Sequence, residues 1–325
     1  MVKFLIIRFS SIGDIVLTTP VIRGLKQQVE DAEVHYLTKH QFEGIVSQNP
    51  YVDKVFTLKD NLKDTIEEIK EQDYNYIIDL HHNLRTSIIK RKTRLISFSF
   101  DKLNFKKWLF VNFKINRMPD VHIVDRYLAT VSVFDVKNDG KGLDFFIPEK
   151  DKVVPQNMHS AFKGKYMVAV VGANHFTKQI PVEKIVNTAN KTGMPVCLIG
   201  GKDVVRQAFL IEEQLKVPFL NTVGKVNLNQ SASLIEQSEI VLTPDTGMMH
   251  IAAAFGKKII SLWGNTVPQF GMYPYLPHSD SKIFEVKNLK CRPCSKIGFA
   301  KCPKGHFKCM NGIDEKDIVD YIYNL

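Results

Sequence analysis

The turn Asp245-Thr246-Gly247 is the first candidate for a ligand-binding site. It combines a carboxylate, a hydroxyl and a glycine, whose backbone carries no side chain. His250 follows three residues later, on the first turn of a helix predicted from Met248 to Phe255. A helix N-terminus presents unpaired N–H groups and the positive end of the helix dipole, so a phosphate placed there would meet Thr246, Gly247 and His250. The alternative is that Asp245 and Thr246 only cap the helix.

A second candidate is Asp14, which follows Ser10, Ser11 and Gly13 at the end of an apolar strand predicted from Lys3 to Phe9. A carboxylate can act as a general base if it reaches a substrate hydroxyl within hydrogen-bonding distance. Gly13 lets the backbone approach a ligand closely, and the two serines can hydrogen-bond its hydroxyls. The alternative is a helix cap, for which Asp is a common residue.

The elements that must position these residues alternate between apolar runs and amphipathic stretches. A helix is predicted from Ile15 to Val29, bent at Pro20, which has no N–H to donate. Such alternation predicts βαβ units and a parallel sheet. The other predicted strands are Glu33–Leu37, Lys54–Leu58, Tyr76–Leu80, Leu95–Phe98, Tyr166–Val171, Val196–Ile199, Ile240–Leu242 and Lys258–Trp263; the other helices are Gln41–Gln48, Asn61–Glu71, Asp125–Phe134, one from Val182, Val204–Leu215 and Ile313–Tyr323.

The expected fold class is α/β with two Rossmann-like domains. Residues 148–165 are polar, contain two prolines and lack periodicity, which predicts a linker. We therefore expect an N-terminal domain over residues 1–150 and a second domain over residues 166–312. Residues 313–325 predict a C-terminal helix that packs near the domain junction.

The composition describes a basic globular protein. The 325 residues suffice for two domains, with 44% hydrophobic and 24% charged residues. No apolar run approaches the ~20 residues of a membrane-spanning helix. The first residues lead directly into a strand rather than a signal peptide, so the cytoplasm is the expected compartment. The net charge of +10 indicates an acidic partner such as nucleic acid, a membrane surface or a phosphorylated substrate.

Much of the charge lies between Arg85 and Arg117, where ten Lys and Arg residues occur with a single acid, Asp101. Basic side chains mixed with exposed aromatic rings suit an anionic lipid interface, and they also suit single-stranded nucleic acid. A third interpretation is a solvated loop whose aromatic rings belong to the core. The interleaved aromatic residues are Phe98, Phe100, Phe105, Trp108, Phe110 and Phe113.

Two motifs resemble family 9 glycosyltransferases, the heptosyltransferases of lipopolysaccharide core assembly. They are S-S-I-G-D-I-V-L-T-T-P at Ser10–Pro20 and D-T-G-x-x-H-x-A-A-A, with the following strand, at Asp245–Gly264. The resemblance implies the GT-B architecture, two Rossmann-like domains facing across a cleft. It also implies an inverting, metal-independent transferase that needs no cofactor beyond its nucleotide-diphospho-sugar co-substrate, with ADP-heptose as the expected donor. The expected acceptor is a lipid-linked lipopolysaccharide core or similar glycan at the inner face of the cytoplasmic membrane, to which the protein would bind peripherally.

The resemblance assigns donor-binding roles to residues of the second half. Lys178 precedes Gln179-Ile180-Pro181, similar to the family's K-x-W-P, in which the Lys meets the diphosphate; here Ile180 replaces the Trp. Charge on the leaving diphosphate would be stabilised by Lys178 and the helix N-terminus at residues 246–250, in place of a divalent metal, for which no suitable D-x-D pair is present. The implied donor-binding set is Asn174, Thr177, Lys178, Asp203, Val226, Asp245, Thr246, Gly247 and His250.

The resemblance also assigns residues of the first half to the acceptor. Asp14 would be the general base that takes the proton of the acceptor hydroxyl. Residues 79–87 are similar to the family's D-x-x-x-N-x-R-S turn, which faces the acceptor. His122 begins a segment similar to H-x-V-[DE]-R-Y, whose role is acceptor binding or structural packing. The implied acceptor-binding set is Ser10, Ser11, Gly13, Asn83, Arg85 and His122.

Four of the five cysteines lie close together in sequence, at Cys291, Cys294, Cys302 and Cys309. One C-x2-C pair among four soft ligands is typical of structural zinc, although the second pair has a different spacing. A cluster of reduced packing cysteines and a set of disulfides are the alternatives, and the cytoplasm disfavours disulfides. Cys197 lies on a predicted strand and is expected in the core.

Two other functional classes compete with glycosyl transfer. A GT-B-like nucleotide-sugar epimerase would share the donor half, but it needs an acid/base set acting on the sugar ring. A nucleic-acid-binding protein would explain the charge, yet it leaves the motifs around Asp14 and Asp245 without a role, so we expect no nucleic-acid partner. A nicotinamide oxidoreductase is disfavoured because no G-x-G-x-x-G follows the first strand.

Overall fold

The computed structural model describes all 325 residues and divides them into two compact units. Unit 1 comprises Met1–Lys102 and Val121–Phe146, and unit 2 comprises Leu103–Asp120 and Ile147–Leu325. Each unit contains one sheet in which every strand pair is parallel. The α/β class predicted from the sequence is thereby confirmed.

Unit 1 is built on a five-stranded sheet of order β3-β2-β1-β4-β5. The strand order changes direction between β1 and β4, which makes the carboxyl ends of these two strands the switch point of the sheet. The strands are β1 Val2–Ile7, β2 Ala32–Thr38, β3 Lys54–Thr57, β4 Tyr76–Asp79 and β5 Ile96–Ser99. The helices, in chain order, are α1 Ile12–Val16, α2 Thr19–Gln28, α3 Leu62–Lys70, α4 Leu84–Thr93, α5 Asn104–Phe113, which belongs to unit 2, and α6 Ile123–Leu128.

Unit 2 is built on a six-stranded sheet of order β11-β10-β9-β6-β7-β8, with its switch point between β9 and β6. Its remaining helices are α7 Pro155–Met158, α8 Val182–Thr192, α9 Val205–Glu212, α10 Leu228–Glu236, α11 Gly247–Ala254, α12 Lys308–Asn311 and α13 Glu315–Tyr323. The strands are β6 Met167–Val170, β7 Val196–Ile199, β8 Phe219–Asn221, β9 Ile240–Pro244, β10 Lys258–Trp263 and β11 Lys282–Glu285.

The central strands are apolar because helices cover both faces of each sheet. Phe4 to Ile7 of β1 and all four residues of β7 are fully buried. Cys197 lies on β7 with no exposed surface, as predicted, and burial raises the pKa of its thiol to about 12.

The helix predicted from Ile15 to Val29 is two helices, α1 and α2. The break falls at Leu17 and Thr18, just before Pro20 in the first turn of α2, where a missing N–H costs no hydrogen bond. The helix predicted at Gln41–Gln48 is a 3-10 turn, His40–Ile45.

The predicted linker, residues 148–165, is folded into unit 2. Asp151 accepts hydrogen bonds from the Asn227 and Asn229 amides, and the Val153 N–H donates to Ser233 Oγ. The C-terminal helix α13 packs against α8, with Ile318 in the core of unit 2. Both segments are therefore parts of the second α/β unit.

Candidate active site

In unit 1, Asp14 lies on α1, just beyond the carboxyl end of β1. Its Oδ2 accepts hydrogen bonds from the Ser11 backbone N–H (3.1 Å) and the Ser11 hydroxyl (2.7 Å). The carboxylate therefore closes the first turn of the helix, which is the capping role that the sequence also allowed. Its side chain keeps 21% of its surface exposed, so the same group is accessible to a substrate.

The other oxygen of this carboxylate is held by Arg8, a residue that the sequence analysis did not single out. Arg8 Nη2 lies 2.6 Å from Asp14 Oδ1, and the arginine is only 8% exposed. Its remaining N–H groups donate to Ser10 O (2.7 Å), Leu80 O and the Tyr127 hydroxyl (3.0 Å). Since Leu80 follows β4, the guanidinium joins the two strand ends at the switch point of unit 1.

The electrostatics of this pair favour two charged side chains. Burial opposes the positive charge of Arg8, but the adjacent Asp14 carboxylate and two tyrosine hydroxyls outweigh it, and the pKa of Arg8 is raised. An arginine at hydrogen-bonding distance in turn favours the ionised form of a carboxylate. The arrangement therefore supplies an anionic oxygen next to solvent, as a general base requires.

His81 lies in the predicted acceptor-facing turn at residues 79–87, but the sequence did not single it out. It lies just after β4, and its ring packs on Phe9 with the centroids 4.9 Å apart. Burial, together with the charges of Arg8 and Lys102, lowers the pKa of His81 to about 4. The ring is therefore neutral near pH 7, and it adds an uncharged, flat surface beside Asp14.

The turn after β4 is fixed by the fully buried Asp79. Its Oδ1 accepts from the backbone N–H groups of His81 (3.1 Å) and His82 (2.6 Å), and its Oδ2 lies 2.8 Å from Lys90 Nζ. Lys90 also donates to Ser99 Oγ at 2.7 Å. Lys90 is therefore a structural cation that neutralises the buried Asp79. In the sequence it is one of the ten basic residues between Arg85 and Arg117, which were interpreted together.

The other predicted acceptor residues lie in different environments. Asn83 Oδ1 caps α4 by accepting from the Thr86 N–H (3.0 Å), and Arg85 beside it is exposed without an ion pair. His122 is 3% exposed, and its Nδ1 accepts from the Val124 N–H to cap α6. This geometry favours packing for His122, one of the two roles left open by the sequence.

In unit 2, Lys178 and Asp245 meet across the switch point. Lys178 follows β6 and Asp245 follows β9, and Lys178 Nζ lies 2.6 Å from Asp245 Oδ2. The Thr266 hydroxyl, beyond the end of β10, donates to the same oxygen at 2.8 Å. The predicted diphosphate lysine is thus oriented by a predicted donor-binding carboxylate.

The N-terminus of α11 lies next to this pair. Thr246 is the N-cap residue, but its side chain makes no capping hydrogen bond, and its hydroxyl lies 3.4 Å from Thr243 Oγ1. Gly247 begins the helix and is partly exposed. His250 lies in the first turns of α11 and is 2% exposed, so its ring is buried.

The remaining predicted donor residues also lie in loops after strands, mostly at the surface. Asn174 and Asp203 are exposed, and Val226 is partly exposed. Thr177 is instead buried, and its hydroxyl accepts from the Phe299 N–H at 2.8 Å. The Thr177 side chain therefore holds the loop that carries Lys178.

A known protein family matches most of this chain. Residues 63–302 match the family model described as glycosyltransferase family 9 (heptosyltransferase). The chain belongs to glycosyltransferase family 9. It is therefore a glycosyltransferase, and this membership favours glycosyl transfer over the epimerase and nucleic-acid-binding alternatives.

This family 9 glycosyltransferase resembles its relatives over its whole length. It is 24% identical to lipopolysaccharide heptosyltransferase 1 of Campylobacter coli, over 99% of this chain and 98% of that protein. Among solved structures, the family 9 glycosyltransferase from Veillonella parvula aligns with a TM-score of 0.80 and 21% identity, over 99% and 96% of the two chains. The E. coli ADP-heptose lps heptosyltransferase II aligns with a TM-score of 0.75 and 18% identity, over 99% and 98%. The GT-B architecture is confirmed.

The cysteine segment of this glycosyltransferase does not form the predicted zinc site. No group of three or more His, Cys, Asp or Glu side chains in the chain is placed to hold a metal ion. Cys309 is buried in the core of unit 2, where burial raises the pKa of its thiol to about 11, while the Cys291 sulfur lies 3.8 Å from His306 Nε2. All five cysteines are free thiols. Among the alternatives, packing by reduced cysteines fits the structure.

The basic and aromatic segment from Arg85 to Arg117 is divided between the two units, because α4 belongs to unit 1 and α5 to unit 2. Helix α5 has no buried residue. Phe105, Trp108 and Phe113 are 69%, 50% and 59% exposed, and the Trp108 ring packs on the other two at 6.1 and 5.3 Å. These rings are therefore a surface cluster and not core. No helix of the protein is long and apolar enough to cross a membrane.

Proposed function

We propose that this protein is an inverting transferase that moves heptose from ADP-heptose to a lipopolysaccharide core acceptor. Its relatives include a lipopolysaccharide heptosyltransferase and an ADP-heptose heptosyltransferase, and they support this choice of sugar, nucleotide and acceptor. The observation that carries the proposal is the pair of charged sites at the two switch points. Asp14, held by Arg8, offers a base in one unit, and Lys178, held by Asp245, offers a cation for phosphate in the other.

In the proposed reaction, Asp14 accepts the proton of the acceptor hydroxyl. The acceptor oxygen then forms a bond to the anomeric carbon, on the face opposite the nucleotide. The bond from that carbon to the diphosphate oxygen breaks, and ADP leaves with the electron pair. A single displacement of this kind inverts the anomeric configuration. The neutral ring of His81 and the hydroxyl of Ser11 border the base and would contact the acceptor sugar.

Lys178 would stabilise the negative charge that develops on the departing diphosphate. An ammonium has three N–H donors, so Lys178 can keep its bond to Asp245 while it donates to a phosphate oxygen. The N–H groups at the start of α11 would complete this electrostatic site, with Gly247 allowing close approach. These groups take the role that a divalent metal has in other transferases, and no further cofactor is proposed. Asn174, Asp203 and the main chain near Val226 are proposed to border the nucleoside.

We also propose that the enzyme acts while bound peripherally to the inner face of the cytoplasmic membrane. A core glycan acceptor is anchored by its lipid, so the reacting hydroxyl is near a lipid surface. The exposed rings of Phe105, Trp108 and Phe113 support this proposal, as does the absence of acidic residues between Asp101 and Asp120. Aromatic rings enter the headgroup region, and the cations beside them meet phosphates.

The function is tested by presenting ADP-, UDP-, GDP- and dTDP-sugars to the protein. A ligand of the folded state raises its midpoint of thermal unfolding, so ADP-heptose is expected to give the largest shift. Incubation with a core acceptor should then release one ADP per heptose transferred, and the anomeric coupling of the product should show inversion. Interconversion of nucleotide-sugar isomers without an acceptor would indicate an epimerase instead.

A further inference from the structure

A cavity of about 530 Å³, open to solvent at the surface of unit 1, has a strongly cationic lining, and its four cations are exposed. It lies between the ends of the neighbouring helices α3 and α4. Its lining residues are Lys70, Arg91, Lys92, Thr93 and Arg94, so four of the five carry a positive charge and none is acidic.

These four cations are not compensated by nearby acids. None of them takes part in an ion pair, whereas two acids of α3 are paired with other lysines. Glu67 lies 3.7 Å from Lys63, and Glu68 lies 3.0 Å from Lys59. Glu71 is next to Lys70 in the chain, but it does not line the cavity.

The negative ends of the helix dipoles offset only part of this positive charge. The C-termini of α3 and α4 each carry roughly half a negative charge, so together they offset about one of the four cations. Even with Glu71 counted, about two positive charges remain. Such a surplus of positive charge suits a multiply charged anion.

The cavity is separate from the candidate active site. Lys70 precedes β4 and Arg94 precedes β5, so the cations gather at the amino ends of these strands. Asp14 and the turn after Asp79 lie at the carboxyl ends. A four-residue strand spans about 13 Å at ~3.3 Å per residue, which places that length of sheet between the two sites.

We propose that this cavity binds the phosphate groups of anionic lipid headgroups. Guanidinium groups match the geometry of phosphate oxygens and can donate two parallel hydrogen bonds, and Arg91 and Arg94 provide two of them. Ile96 begins the edge strand β5 just beyond the cavity and is 61% exposed, so an apolar side chain adjoins the cations. This combination favours a lipid surface over a soluble phosphate. The choice of a lipid headgroup as the source of the phosphate rests on the proposed membrane-bound function. The binding of phosphate by these cations does not depend on that function.

The test compares a cavity variant with a control of equal charge. The variant is Lys70→Gln/Arg91→Gln/Arg94→Gln. The control is Lys163→Gln/Lys191→Gln/Lys216→Gln, which removes three exposed lysines of unit 2 that make no ion pair. Sedimentation with phosphatidylglycerol vesicles measures lipid binding, and calorimetric titration with inorganic pyrophosphate measures binding of a soluble phosphate. Each cation near an anionic surface contributes about fivefold in binding, so the cavity variant should lose about 100-fold for vesicles.

A loss confined to the cavity variant supports the site. If that loss appears for vesicles and not for pyrophosphate, the ligand is lipid; the reverse pattern assigns the phosphate site to a soluble ligand and overturns the lipid proposal. Equal behaviour of the two variants in both assays overturns the site altogether. Heptose transfer to a short, soluble acceptor, together with the unfolding midpoint, should be unchanged in either variant. If wild-type protein shows no transfer, the proposed function fails while the phosphate-binding result still stands.

Discussion

Lys178 and Asp245 form an ion pair of 2.6 Å that joins the carboxyl ends of β6 and β9. These strands are adjacent in the sheet, although β6 is the first strand of unit 2 in the chain and β9 is the fourth. The pair therefore marks the place where ligands of open α/β sheets bind. A carboxylate beside the ammonium holds the lysine side chain in one position before a diphosphate arrives.

Replacing Lys178 by Ala should weaken donor binding and slow the reaction, because the diphosphate is charged both before and during departure. Removal of one electrostatic donor of this kind lowers the rate by roughly 10²-fold or more. Binding of ADP by calorimetry and initial rates of transfer measure the two effects. Asp245→Asn, which keeps the ammonium but loosens its position, should lose less, and Lys216→Ala is a control outside the site. Unchanged affinity and rate in the Lys178 variant would place this residue outside the donor site.

Replacing Arg8 should change the pH dependence of the reaction. A nearby positive charge favours an ionised carboxylate, so the base of the Arg8→Met variant needs a higher pH to lose its proton. The acidic limb of the kcat/KM profile should therefore move to higher pH, while Arg8→Lys, which keeps the charge, should move less. The profile of each purified variant checks this. A profile that keeps its acidic limb and only loses amplitude would show that Arg8 has no electrostatic effect on the base.

Substitution of Lys90 should lower the stability of the protein much more than substitution of the neighbouring cations Arg91 and Lys92. Lys90→Gln leaves the buried Asp79 without its cation, and breaking a buried ion pair costs about 3–5 kcal/mol. Arg91→Gln and Lys92→Gln alter exposed side chains without ion pairs and should change the free energy of unfolding by less than about 0.5 kcal/mol. Urea unfolding at pH 7 measures the difference. Equal stability of all three variants would refute the structural role assigned to Lys90.

The cluster of Phe105, Trp108 and Phe113 on α5 should govern attachment to lipid. Serine at all three positions should release the protein from anionic vesicles, because each buried aromatic ring contributes on the order of 1.5–3 kcal/mol. Neutralising Lys106 and Lys107 should weaken binding at low salt, with less effect at high salt, where charges are screened. Transfer to a short, soluble acceptor should be spared. Vesicle binding that responds to neither salt nor these substitutions would contradict the membrane proposal.

Much of the fold could be predicted from the sequence, because parallel strands buried on both faces are continuous apolar runs. The strands at Val196–Ile199 and Lys258–Trp263 have the predicted bounds, and the other predicted strands differ by one or two residues at an end. The short edge strands β8 and β11 were not predicted. The positions of Asp14, Lys178 and Asp245 after strands followed from the same pattern. Their functional roles remain predictions that the experiments described here would test.

Other features depend on contacts that a sequence does not display. Arg8 lies in a run of apolar residues, and its partners Asp14, Leu80 and Tyr127 explain why a buried cation is tolerated. Leu80 and Tyr127 are more than 70 residues away in the chain. The signal was present, since a charge inside a buried strand requires a partner. Similarly, α5 joins unit 2 through the Lys114 contact with the Pro293 carbonyl, which no local pattern indicates.

The role of Asp14 as the base is tested by the rate of heptose transfer by the Asp14→Asn variant at saturating ADP-heptose, measured together with the affinity of that variant for the donor. Asn keeps the size of the side chain but cannot take the proton of the acceptor hydroxyl. We predict that transfer falls by roughly 10²–10⁴-fold while donor affinity stays within a few-fold, since loss of a general base has this magnitude. Transfer at the wild-type rate would contradict the assignment of Asp14 as the base.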